Sequence, residues 1–210
     1  EFEPKSNKTD LAQALKFLSG TQKKKAIVFN TLQLYRWDRL DYLKKLHNQA
    51  KAEGFYIGMK IVRGAYMEKE NSRSEEIGYP TPTCESKEAT DINYDLTMEY
   101  MMDNLDIMSI FAGTHNESSS YKLIEMMESR GISKNDNRIW FGQLYGMSDN
   151  ISYNLAKYGF NVAKYLPFGP VRDVMPYLIR RAEENTSVAG QTSRELNLLK
   201  TERQRRKQNK

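Results

Sequence analysis

The sequence predicts an α/β fold, a parallel β-sheet with helices packed outside it. Three observations point there. Apolar strand-like runs alternate with helical patterns about five times along the chain, as repeated strand–helix units do. The strand runs are almost continuously apolar, the pattern of strands buried on both faces. Polar and glycine residues recur at the C-terminal end of strand after strand: Gln33, Arg63-Gly64, His115-Asn116, Gln143 and Tyr165. A (β/α)8 barrel gathers its chemistry at that end.

The elements follow in order. Residues 1–25, rich in Lys, Ser, Asn and Gln, read as a linker with a short helix over Leu11–Leu18. A first strand run, Ala26–Tyr35, precedes a helical pattern through Trp37–Ala52 that stops at Gly54. Phe55–Arg63 is the second strand. A polar loop with Pro80 and Pro82 leads to a long helix from Glu85 to Met102. Ile107–Ala112 is the third strand, and Ser118–Ser129 its helix, closed by Gly131. Arg138–Gln143 is the fourth strand, followed by a helix over Ser148–Tyr158 with Gly159 as its stop. Val162–Leu166 is the fifth. Val171–Asn185 is the last clear helix, and Ser193–Lys207 a further, largely polar one. The folded body is therefore expected over 26–192, with a polar, basic tail over 193–210.

Two architectures compete for this pattern, a doubly wound open sheet and a (β/α)8 barrel. The open sheet normally carries a glycine-rich phosphate loop after a strand. The chain has no GxGxxG and no P-loop. Five units do not close an eight-stranded barrel, so that alternative implies a partial, TIM-type barrel whose early strands lie outside this chain.

Composition narrows the function classes. In 210 residues, 39% are hydrophobic and 28% charged, which is globular rather than disordered. Cys84 is the single cysteine, so an internal disulfide or a cysteine-based metal cluster is excluded. The two histidines, His47 and His115, have no convergent acidic spacing, and no catalytic metal is expected. His47 falls on an amphipathic helical pattern and is expected at the surface. The net charge of +5 concentrates in Lys23–Lys25 and in the tail. Such a tail suits an anionic membrane surface or solubility. Nucleic acid is not an expected partner, because no zinc-finger or RRM pattern is present and no aromatics interleave with the basic stretches.

Taken singly, most of the notable residues have a plain structural explanation. Arg180 and Glu184 suit a solvated i,i+4 pair. Tyr165, following an apolar strand, suits a core aromatic. Lys60 is harder to dismiss. It sits among Met59, Ile61 and Val62, and a lysine inside a buried strand is rare unless paired.

Six segments, FNTLQLY (Phe29–Tyr35), KIVRGAYM (Lys60–Met67), GTHN (Gly113–Asn116), FGQLYGM (Phe141–Met147), KYLPFGP (Lys164–Pro170) and YLIRRAEENTS (Tyr177–Ser187), occur in one order. In that order and spacing the chain resembles the proline dehydrogenases over about Ala26 to Ser187. The resemblance implies a (β/α)8 barrel, noncovalent FAD and a quinone acceptor, with proline oxidised to pyrroline-5-carboxylate. It implies that Arg180 and Arg181 clamp the substrate carboxylate, a task suited to a charged, forked guanidinium. It sets Tyr165 and Leu144 as walls for the proline ring, with Ala65 and Tyr66 alongside. Tyr165 also argues for proline over hydroxyproline, since that position tends to be smaller in enzymes specialised for the latter.

The same resemblance sets Lys60 near the flavin N5, where positive charge stabilises reduced flavin, although some relatives carry arginine there. It assigns Gln33 to the isoalloxazine ring and His115 and Asn116 to the ribityl–pyrophosphate region. Arg63, Gly64, Ala65, Tyr66, Thr114 and Gln143 join the cofactor contacts, and Glu184 lies toward the cofactor's far end. Gly64 would let backbone approach a ligand closely. Catalytic roles fall to Lys60, Tyr165, Arg180 and Arg181. The lysine and aspartate that the family draws from its first barrel strands find no match in residues 1–25. Two other readings stand beside this one: an inactive fragment or interaction module that retains the barrel motifs, and another barrel enzyme acting on a carboxylate substrate, with Lys60 available for a Schiff base. The expected location is the cytoplasm at the inner membrane in a bacterium, or the mitochondrion in a eukaryote.

Overall fold

The computed structural model describes residues 25–187 and 189–208, with the side chains of 180–195 outside that description. Five strands, β1 (Phe29–Gln33), β2 (Ile57–Val62), β3 (Met108–Gly113), β4 (Ile139–Leu144) and β5 (Val162–Tyr165), form one sheet in the order β1-β2-β3-β4-β5. β1 to β4 pair in parallel. The Phe141 N–H donates to Asn161 and the Tyr145 N–H to Tyr165, so donors and acceptors advance together and β5 is parallel too. The described helices are α1 (Arg39–Glu53), α2 (Met67–Ile77), α3 (Lys87–Asp103), α4 (Glu117–Ser129), α5 (Asp149–Lys157), α6 (Val171–Ser187) and α7 (Ala189–Gln208).

Strand parity decides what each residue meets. Leu32, Ile57, Met59, Ile61, Met108, Ile110, Ala112, Ile139 and Phe141 share one face and are essentially inaccessible. They form a single core with Leu43 and Leu46 of α1, Met98 and Met101 of α3, Leu123 of α4 and Leu155 of α5. Burial of each of the Leu, Ile, Met and Phe side chains contributes roughly 1.5–3 kcal/mol. Four helices therefore pack on the same face. A strand order without reversal, with right-handed crossovers, requires this outcome. The doubly wound alternative needs a switch point, and this sheet has none.

The other face corrects an expectation. Phe29, Gln33, Lys60, Val62, Phe111 and Trp140 are only half-buried there. The strands are thus buried on one face, and their apolar runs owe the rest of their length to large residues on a less covered side. Lys60 lies on this second face, so it is half-buried rather than enclosed.

Two further differences have local causes. The expected polar loop after β2 holds α2. Its sequence lacks an apolar stripe, and only Ser74 is buried; good helix formers such as Glu, Lys and Arg suffice to build it. His47 is buried, not on the surface, and its Nδ1 lies 2.6 Å from the Tyr100 hydroxyl of α3. The short helix expected at Leu11–Leu18 lies outside the described residues. The last polar helix is longer than expected, running Ala189–Gln208.

The chain forms two compact units. One ends at Gln143 and resumes over Asp149–Lys164; the other comprises Leu144–Ser148 and the residues from Tyr165 onward.

Candidate functional site

The exits of consecutive parallel strands carry the polar groups singled out in the sequence. At the β1 exit the ladder continues past Gln33, with Leu34 N–H donating to Val62 and Tyr35 N–H to Arg63. Tyr35 then lies across Gly64. A Cβ at Gly64 would stand 2.4 Å from the Tyr35 ring and 2.8 Å from Gln33 Oε1, and its φ is +99°. Glycine is therefore required here. The atoms that approach Gly64 this closely are those of Tyr35 and Gln33. Gly64 and Ala65 are exposed, and Tyr66 is half-buried.

Beside this exit Arg36 donates to Asp38 and Glu70, and Tyr35 donates to Glu70. Burial pushes the Asp38 carboxyl up, yet bonds from Arg39 and Arg36 hold it well below the usual carboxylate range. The Tyr35 hydroxyl is pushed up, by burial first and then by Glu70. This cluster fastens α2 to the end of β1.

Arg63, at the β2 exit, has three directions of its guanidinium engaged. Nε donates to Asp91, Nη1 to Thr114 Oγ1 at 3.1 Å and Nη2 to Ser119 Oγ at 2.9 Å. Its carbon lies 4.4 Å from the centre of the buried Tyr94 ring, a cation–π arrangement. Asp91 also accepts from Lys87 at 2.8 Å. Burial raises the Asp91 carboxyl, but the bonds from Lys87 and Arg63 outweigh it and hold the group below its ordinary value.

Thr114, past the β3 exit, makes four hydrogen bonds. Its hydroxyl accepts from Arg63 and from the Asn116 N–H, each at 3.1 Å. Its carbonyl accepts from Gln143 Nε2 at 3.3 Å, and its N–H donates to Gly142 at 3.1 Å. Gln143 is buried, and its Oε1 accepts from Ser152 of α5 at 2.9 Å. Asn116 caps α4, its side chain accepting from the Ser119 N–H, as a good N-cap does. His115 stands half-buried between Thr114 and Asn116.

Lys60 sits two residues before the β2 exit, paired with Thr31 of β1 and Phe111 of β3. A Cβ at Gly113 would meet its Cε at 3.5 Å, so the lysine stem runs over the bare backbone of β3. By parity Gln33, Lys60 and Val62 share one face.

In the second unit, Leu144 is half-buried and Tyr165 is 53% exposed, so Tyr165 is no core aromatic. Its ring lies 5.6 Å from that of Tyr177. Arg180, Arg181 and Glu184 fall on α6, and their side chains lie outside the described residues. Among the described residues no three His, Cys, Asp or Glu side chains converge on a metal position.

The sequence reading passed over Asp91, Tyr94 and Ser119. No local signal marks them, since their partner Arg63 lies 28 or more positions away in the chain.

Residues 5–194 match the family described as proline dehydrogenase. Mitochondrial proline dehydrogenase 1 of Drosophila melanogaster is 38% identical over 98% of this chain, which covers 31% of that protein. The hydroxyproline dehydrogenase of Xenopus laevis is 39% identical over 85% of this chain and 39% of its own length. A crystal structure of proline utilization A (PutA) from Bdellovibrio bacteriovorus, inactivated by N-propargylglycine, matches with a TM-score of 0.79 at 27% identity, covering 92% of this chain and 20% of that one. The chain spans about a third of the length of these curated relatives. With its parallel α/β sheet and this match along nearly its whole length, the chain belongs to the proline dehydrogenase family.

Proposed function

We propose that this chain is part of an FAD-dependent enzyme that oxidises L-proline to pyrroline-5-carboxylate and passes the electrons to a quinone. The observation that carries the reading is the shared parity of Gln33 and Lys60 on the less covered face of β1 and β2, beside the strand exits where Thr114–Asn116 lie, in a chain of this family. The singly wound order of the sheet supports a section of a (β/α)8 barrel over 26–192, with 193–210 as a basic extension and 1–25 as a linker. In a barrel, the face that carries Lys60 is the interior.

The residues fit a flavin in kind. Gln33 and Asn116 offer neutral amides, Lys60 offers a positive charge, and Gly113 leaves β3 low enough for the lysine to lie across it. Gln33 and Lys60 would hold the isoalloxazine ring, and His115 and Asn116 the ribityl–pyrophosphate portion. Arg63, Thr114 and Gln143 would shape that portion's seat, with Gly64, Ala65 and Tyr66 at its margin and Glu184 toward its far end. Bound there, the flavin supplies the hydride acceptor. The protein supplies orientation and charge: Arg180 and Arg181 grip the carboxylate, while Leu144 and Tyr165 confine the ring.

The relative named hydroxyproline dehydrogenase makes substrate choice a real question, and the bulky Tyr165 supports proline. The insect relative is named mitochondrial. No helix among the described residues is long and apolar enough to cross a membrane. The quinone would be met at the mitochondrial membrane in a eukaryote or the inner membrane in a bacterium.

The complete enzyme to which this chain belongs is expected to be yellow when purified, with flavin absorbance bleached by proline. Acid precipitation should release the flavin to the supernatant. A complete enzyme that is colourless and takes up no added FAD overturns the reading, and flavin retained on the denatured chain overturns its noncovalent part.

A further inference from the structure

We propose that Asp91 is a positioning residue for the cofactor-binding turn Thr114–Asn116, acting through Arg63. This rests on the flavin reading above and extends it to a residue on α3 that need not touch the cofactor. The geometry runs in a chain. Asp91 accepts from Arg63 Nε and so sets the plane of the guanidinium. Tyr94, about one turn further along α3, brings its ring centre to 4.4 Å from the guanidinium carbon. The two remaining nitrogens then point at Thr114 Oγ1 and Ser119 Oγ. The same Thr114 oxygen accepts from the Asn116 N–H, and Ser119 N–H donates to the Asn116 side chain. Asn116 is thus held at its backbone through Thr114 and at its side chain from Ser119, and both holders are bonded to Arg63.

A guanidinium has one planar fork and no freedom to satisfy these acceptors if it rotates. Removing Asp91 therefore frees Arg63 to turn, and His115 and Asn116 lose a fixed seat. Second-layer partners of this kind commonly govern how well a site holds its ligand. The task asks Asp91 for an acceptor oxygen at the right place rather than for its charge. Asparagine should then replace it in large part, whereas alanine should not. Lys87 also bonds Asp91 but is largely exposed, so its loss should leave the Arg63 plane as it is.

The test is FAD affinity of the flavin-stripped complete enzyme, measured by fluorescence quenching well below the melting temperature, with the visible circular dichroism of the bound flavin as a second readout. Asp91→Ala should raise the FAD Kd by about tenfold, the scale of one lost charged hydrogen bond, and alter the flavin dichroism. Thr114→Val, which keeps shape and removes the accepting hydroxyl, should do the same, and the double variant should add little to either. Asp91→Asn should recover most of the loss, and Lys87→Ala should match the parent. If Asp91→Ala does not fold, Asp91→Ser takes its place, with the same rise in Kd expected and a parent-like Kd overturning the proposal. Parent-like Kd and dichroism in folded Asp91→Ala and Thr114→Val, or fully additive losses, overturn the proposal while leaving the flavin reading intact. A complete parent enzyme that binds no FAD overturns both.

Discussion

His47 sits within α1 with its imidazole buried against Tyr100 and its Nε2 without a hydrogen-bond partner. Burial, with help from Lys51, lowers its pKa below the ordinary 6.5. The unfolded chain therefore holds more protons than the folded one between the folded value and 6.5. Stability from this group is complete above the unfolded value and falls as pH drops through that window. Urea denaturation at pH 7.5 and 5.5 should show the parent losing more stability on acidification than His47→Gln; equal losses would show that the imidazole does not titrate in this way. The arginines of α6 carry the prediction tied most closely to function. If they grip the carboxylate, Arg181→Met should raise the proline KM strongly, a loss of about 2–4 kcal/mol, with flavin content near normal. Prolinamide should bind the parent poorly and lose little more on mutation. Equal proportional losses for the two substrates would detach α6 from substrate recognition.

α3 binds several strand exits to one helix. Asn93 donates to the carbonyls of Leu34 and Arg36 beyond β1, Asp91 holds Arg63 beyond β2, and Asp95 accepts from Lys122 of α4. Its start is set by Ser86, whose side chain accepts from the Ala89 N–H. The sheet has its own device on the less covered face, where large side chains lie over glycines of the next strand. Phe29 leans on Gly58 and Phe111 on Gly142, where an added Cβ would come within 2.9 and 2.0 Å of them. Gly142→Ala should accordingly destabilise the fold by about 1–3 kcal/mol through overpacking. Adding Phe111→Leu should restore part of that, as measured by urea midpoints. No loss in the single variant would mean the ring moves aside freely.

At the scale of the molecule, the sheet order and the basic C-terminal helix lead to different questions. A sheet wound one way, with α1, α3, α4 and α5 on one face, leaves the opposite face for the chemistry proposed here. On α7, Arg203 and Lys207 add to Arg205 and Arg206, which both bond Glu202. Those bonds hold the Glu202 carboxylate down at about 2. If this helix approaches anionic lipid, deleting residues 200–210 should weaken binding to acidic vesicles, with the difference vanishing at high salt. Unchanged binding would leave α7 a solubilising extension.

The amino-acid sequence by itself determined the alternation of strands and helices, the glycine stops at Gly54 and Gly159, the family, and the positions of the polar strand exits. Each of these is written in local periodicity, turn chemistry or motif order, which operate within a few residues. Tertiary structure alone decided the rest. It buried His47, because the face of α1 that bears it meets Tyr100 of α3. It took Lys60 out of the core, because parity turns it away from the helices that bury Met59 and Ile61. It also gathered Asp91, Arg63, Tyr94, Thr114 and Ser119 into one network, whose members lie on four segments and recognise each other by shape and hydrogen bonding across up to 56 positions of chain. No spacing rule reaches that far, since such contacts exist only once the sheet has set its strands side by side.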